Sequence, residues 1–122
     1  MRIGVCGPRN RLLSVGEAKV WIRLLRAFNP TAVCHGGAHG IDQHAGNIAK
    51  AERIPIEVTE ADWEAARRDG NVKLGGPRRN RKQATKADVW VAFVRGAGPG
   101  TRDMVEAARE AGKVVIQVEV PE

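Results

Sequence analysis

Short apolar runs alternate with amphipathic segments along this chain, and that alternation restricts the fold more than any other feature. Arg2-Ile3-Gly4-Val5-Cys6 reads as a strand, broken by Gly7-Pro8-Arg9-Asn10. From Gly16 to Phe28, the residues Val20, Trp21, Leu24, Leu25 and Phe28 recur at helical spacing and predict one apolar helix face. Asn29-Pro30 ends that helix, because the residue before proline is pushed out of the helical region. Thr31 to Cys34 predicts the second strand, and Ile41, Ala45, Ile48 and Ala49 a second helical face. Ile54 to Thr59 reads as a third strand, placed at a sheet edge by Pro55, which lacks a ladder donor. Ala61-Asp62-Trp63 opens a short helix ending by Gly70, and Asn71 to Gly76 reads as loop. Pro77 suits the first turn of the helix that follows. Asp88 to Val94 is a strand buried on both faces. Met104, Ala107, Ala108 and Ala111 form one side of the last helix, Gly112 ends it, and Val114 to Val118 is the final strand.

The order β-α-β-α-β-α-β-α-β means a parallel sheet with right-handed crossovers. The expected fold is a single α/β, Rossmann-like, doubly wound domain over residues 1–122, with about five strands in the order 3-2-1-4-5 and helices on both faces. Ligands of such sheets bind outside the carboxyl ends of the strands, where the order reverses between strands 1 and 4.

Three glycine loops fall on that rim. One is Gly7-Pro8-Arg9-Asn10, the second is Cys34-His35-Gly36-Gly37-Ala38-His39-Gly40-Ile41-Asp42, and the third runs from Arg95 to Thr101. Glycine lets backbone N–H groups approach a ligand closely, and helix N-termini favour anions. The net charge of +6 likewise favours an anionic partner. Seven arginines lie in or beside the rim segments: Arg9, Arg11, Arg78, Arg79, Arg81, Arg95 and Arg102. The third loop lacks the G-x-G-x-x-G dinucleotide spacing, and no P-loop lysine motif exists.

Cys6 and Cys34 are too few for a disulfide framework and read as small buried hydrophobes. His35, His39 and His44 lie on three different elements with no carboxylate cluster beside them, so no metal site is expected. No apolar run reaches the ~18–20 residues of a membrane span, and no signal-peptide core follows Met1. A cytoplasmic protein without membrane contact or cofactor is the expectation. A chain this short gains from burial against a copy of itself, so a homo-oligomer is expected.

Several short motifs resemble, in order and spacing, the SLOG superfamily of Rossmann-like domains, in particular its YspA-type branch. They are Cys6-Gly7-Pro8-Arg9, His35-Gly36-Gly37-Ala38-His39-Gly40-Ile41-Asp42, Ala61-Asp62-Trp63, Gly76-Pro77-Arg78-Arg79-Asn80 and Gly98-Pro99-Gly100-Thr101-Arg102-Asp103-Met104-Val105. The resemblance implies recognition of a nucleotide or nucleotide-derived ligand at the rim. Pro8 stands where the family has serine, His39 where it has arginine, and Arg78 where it prefers an apolar residue.

Two related families imply other functions. In the lonely-guy phosphoribohydrolases a loop ending Gly-Thr is followed three residues on by a catalytic glutamate; here that position is Met104. Asp103 lies about 100° away on the helix. Asp103 or Asp42 would then be the catalytic carboxylate for hydrolysing the N-glycosidic bond of a nucleoside monophosphate. The DNA-processing protein A family, which binds single-stranded DNA, has motifs similar to Gly40-Ile41-Asp42 and Pro77-Arg78-Arg79-Asn80-Arg81. Against nucleic acid stands the shortage of rim aromatics: Trp21 and Trp90 are expected in the core, and only Trp63 is near.

The favoured expectation is a sensor or sequestering domain for a nucleotide or nucleotide-derived phosphate ligand. Backbone amides of Gly36, Gly37, Gly98, Gly100 and Thr101 would cradle phosphate, and Arg9, Arg79 and Arg102 would supply charge-assisted hydrogen bonds. Gly7, Gly40 and His39 complete the loop walls. Asp42 would hold a ribose hydroxyl or orient its loop, and Asn80 would fix a loop or touch the ligand. With His39 in place of arginine, affinity is expected to fall as pH rises through neutrality.

Overall fold

Side chains on the central strand set the two layers apart. In the computed structural model, described for residues 1–121, β1 (Arg2–Cys6) alternates Ile3 and Val5 toward one face with Gly4 and Cys6 toward the other. The other strands are β2 (Ala32–His35), β3 (Ile56–Val58), β4 (Val89–Phe93) and β5 (Val114–Val118). All four pairings are parallel, and the order is β3-β2-β1-β4-β5, as the alternation predicts. Pro55 precedes the short edge strand β3, where its missing donor costs no ladder bond.

Helices α1 (Val15–Phe28) and α2 (Ile41–Ala51) cover the face of Ile3, Val5, Val33 and Val91. Trp21 is the centre of this layer: fully buried, it packs edge-on to Phe93 and donates its indole N–H to Ala45 O at 3.0 Å. A buried tryptophan needs such an acceptor, since an unmatched N–H would cost about 1–3 kcal/mol. On the opposite face lie α4 (Gly75–Ala84) and α5 (Pro99–Glu110), with α3 (Trp63–Arg68) packed against α4. There Trp90, Met104, Ala107 and Ala108 form a second core, and the Trp90 indole donates to Ala84 O at 3.2 Å.

Gly4 is paired in register with Trp90, and the indole occupies the space a Cβ would need. The sheet thus accepts its largest residue only where its neighbour has no side chain. Helix α1 begins at a capping box: the Ser14 hydroxyl accepts from Glu17 N, and the Glu17 carboxylate accepts from Ser14 N. It ends at Asn29, whose left-handed backbone (φ 46°) stops the helix one residue before proline.

The main departure from expectation lies between β3 and β4. Residues Val72–Leu74 form a 3-10 turn, and α4 already starts at Gly75, within a stretch expected to be loop. Glycines are poor helix formers, but the Trp63 ring lies against Gly75 where a Cβ would be, so packing selects glycine there. Strand β2 is also displaced by one residue, ending at His35 because His35 still pairs with Val58.

Candidate functional site

The carboxyl ends of the strands carry the loops that sequence patterning assigned to one rim. The turning point of the strand order lies between β1 and β4, so Gly7–Asn10 and the segment before α5 flank it.

Helix α5 presents its N-terminus there. Gly98 is the N-cap with extended backbone (φ −94°, ψ −172°), Pro99 is the first helical residue, and no side chain caps the helix. The first turn holds no acidic residue. Space beside Gly98 and Gly100 is open to 4 Å from where a Cβ would lie. The first N–H groups of a helix have no partner within it, so those of Gly100 and Thr101 lie at an uncapped, electropositive end. Among the described residues, the side chains of Arg102 in the same turn and Arg9 across the crevice make no hydrogen bond or ion pair, and both residues are exposed.

The loop after β2 is built differently. Gly36 N donates to the Asp42 carboxylate at 3.1 Å, and Gly37 N donates to His35 Nδ1 at 3.0 Å. Ile41 N, at the start of α2, donates to Pro8 O at 3.1 Å. Gly40 (φ 79°) packs against the backbone of Arg9 and Arg11, where a Cβ would come within 2.7 Å, and Ile41 occupies the side-chain space beside Gly7. These glycines therefore join two loops into one wall, and the amides of Gly36 and Gly37 already serve the protein. His39 is exposed on this wall, while His44 accepts from Leu13 N through Nδ1 at 2.9 Å.

Asp42 is buried beneath that wall. Burial pushes its carboxyl up to about 6, against the pull of the Gly36 N–H, the Arg79 charge and the Ala38 N–H. Arg79 reaches over from α4 and donates to Gly36 O at 2.8 Å. Its neighbour Asn80, buried, donates to Asp103 Oδ2 at 2.9 Å and to Gly100 O at 3.4 Å, while its own oxygen accepts from Gln83 at 3.2 Å. Arg81 pairs with both Asp103 oxygens at 2.8 Å. Successive residues of α4 thus bind the loop after β2 and the first turns of α5.

A third fixture was missed by the sequence reading. Glu17 is fully buried, and its carboxylate takes a two-pronged bond from Arg11 at 2.6 and 2.9 Å. Arg11 also donates to Arg95 O at 2.8 Å, and the Arg95 guanidinium lies 3.7 Å from Glu17. Hydrogen bonds from Arg11 chiefly, assisted by Ser14, hold the Glu17 carboxyl down near 2 against burial. The signal was legible, because Ser14-Val15-Gly16-Glu17 is a capping-box spacing just after Arg11.

The arginine-rich rim therefore divides by role. Arg11 and Arg95 serve Glu17, Arg78 pairs with Asp69 at 2.6 Å, Arg81 with Asp103, and Arg79 holds Gly36. Cys6 and Cys34 are buried and free, and burial raises both thiols. Trp63 is about half exposed beside α4. Among the described residues, no three His, Cys, Asp or Glu side chains gather as a metal site would require, and no helix is long and apolar enough to cross a membrane.

No family model matches this sequence, and no curated protein matches it. Among solved structures the fold is similar to that of DNA processing protein A from Streptococcus pneumoniae, with a TM-score of 0.73 at 21% sequence identity. The likeness covers 98% of this chain and 50% of that one, so this chain spans half the length of that protein. At such identity the likeness is one of fold: a Rossmann-like α/β sheet with the strand order found here.

Proposed function

We propose that the chain binds a nucleotide or nucleotide-derived ligand with a phosphate at the N-terminus of α5, acting as a sensor or sequestering domain. The observation that carries this reading is the uncapped first turn of α5 at the strand-order reversal, with Arg102 and Arg9 unengaged beside it. A phosphate there would accept from the Gly100 and Thr101 amides and from the two guanidiniums, which are charge-assisted bonds. Gly36, Gly37, Gly40 and His39 would form the facing wall, with Arg79 and Asn80 setting its distance from α5.

Thermal-shift titration of the protein with AMP, ADP-ribose and cyclic nucleotides tests this directly. Ligand that binds only the native state raises the midpoint, so at least one should do so, and Arg102→Gln should abolish the shift. No shift at millimolar ligand would overturn the proposal.

A second reading, binding of a single-stranded nucleic acid along the same rim, draws support from the fold's likeness to a DNA processing protein and from the net charge of +6. It predicts a steep loss of affinity with salt, each neutralised phosphate adding about 0.7 to the slope for a single strand. Mononucleotides would not compete. N-glycosidic hydrolysis would need Asp42 or Asp103 to face the sugar. We assign both instead to holding loops, since Asp42 accepts from Gly36 and Asp103 is shared by Asn80 and Arg81. Release of base from nucleoside monophosphates, lost in Asp42→Asn or Asp103→Asn, would restore the catalytic reading.

A further inference from the structure

A second recess adjoins the crevice just described, sharing Thr101 and Arg102 with it, and lies on the β5 side of β4. It is a cleft of about 420 Å³ between α5 and the carboxyl ends of β4 and β5. Val94, Ala97 and Val105 form its apolar wall, and Arg102, Arg109 and Gln117 supply its polar groups. Arg102, Val105 and Arg109 follow one another at three- and four-residue spacing, so they form one stripe along α5. Gln117 comes from the edge strand β5, paired in register with Ala92 and directed to the α5 side of the sheet. Among the described residues, the side chains of Arg102, Arg109 and Gln117 have no hydrogen-bond or ion-pair partner. Arg102 and Arg109 thus bring two unmatched guanidiniums into one cleft, whereas Arg11, Arg78, Arg81 and Arg95 are matched to carboxylates.

From these observations we infer that the cleft is a nucleotide subsite with anion-binding groups at both ends, selecting a nucleotide phosphorylated at two positions. The inference rests on the phosphate site proposed at α5, because Arg102 belongs to both. The two arginines are seven positions apart on the helix, a rise of about 10 Å along the axis, and their long side chains can close on a single nucleotide. The volume lies within the usual range for small-molecule sites, roughly 300–1,000 Å³. The valine and alanine wall offers an apolar surface against which a base or sugar can lie. The Gln117 amide offers one acceptor and two donors to a base edge.

The test compares AMP with adenosine 3′,5′-bisphosphate by isothermal titration at fixed ionic strength, using the full chain. The bisphosphate should bind at least tenfold more tightly than AMP. Arg109→Gln should bring the bisphosphate down to the affinity of AMP, whereas Lys19→Gln, on α1, should keep the preference and so controls for net charge. Gln117→Ala should weaken both ligands together. Equal binding of the two nucleotides by the unaltered protein would overturn the subsite and leave the phosphate site at α5 standing. A preference that survives Arg109→Gln would overturn it too, and binding of neither nucleotide would overturn both proposals.

Discussion

Two buried carboxylates, Asp42 and Glu17, respond to pH in opposite senses because their surroundings differ. Burial lifts Asp42 from 3.8 to about 6, so the native state holds that proton more tightly than the unfolded chain does. Its contribution to stability is therefore full below about pH 4 and is lost as pH rises toward 6. At about 1.4 kcal/mol per pH unit, the loss approaches 3 kcal/mol. Asp42→Asn should remove this decline, gaining on the unaltered protein by about 2–3 kcal/mol between pH 4 and pH 7 in urea unfolding. A constant difference across that range would show that Asp42 is not buried as a charge. Glu17 is held near 2 by Arg11, so its contribution is present above about pH 4.5 and lost as pH falls toward 2. Glu17→Gln should cost about 3–5 kcal/mol at pH 7, the usual consequence of breaking a buried pair from one side. That penalty should shrink in acid.

At the scale of elements, α4 is the part whose sequence said least about its task. Its run of Arg78, Arg79, Arg81 and Lys82 announced positive charge, but a run of charges does not reveal which carboxylates will meet it. The partners come from the end of α3, from α5 and from the loop after β2, between 9 and 43 residues away in sequence. The strands were easier to read, because alternation and turn residues are local; β5 falls at the residues expected, Val114–Val118. The end of β2 was not local, since its pairing with Val58 extends it to His35. Asn80→Ala should loosen the first turn of α5 against α4, destabilising the fold by about 1–2 kcal/mol through the lost bonds to Gly100 and Asp103. It should also weaken ligand binding more than the stability loss alone explains, which titration at a temperature well below the midpoint would reveal. Gly4→Ala addresses the sheet itself: with Trp90 filling that space, the added methyl should cost about 1–3 kcal/mol or more. The denaturant midpoint should fall with an unchanged slope.

For the molecule as a whole, strand order follows from a single decision in the chain, the crossing from β3 over the sheet to β4. That decision was legible, since Pro55 marks an edge and alternating elements leave few parallel arrangements. It also separates the partners of β1. On one side β1 meets β2 at Ile3 and Val33; on the other it meets β4 at Ile3 and Val89. During synthesis at about 5–20 residues per second, several seconds separate the emergence of β1 from that of β4. Throughout that interval the central strand of the finished sheet is an exposed edge, with Gly4 lacking the indole that will cover it. A ribosome-bound chain arrested after Glu60 should therefore be cut readily by protease, and one extended past β5 should resist. The strand at the centre of the native sheet is thus the one most in need of a chaperone while the protein is being made.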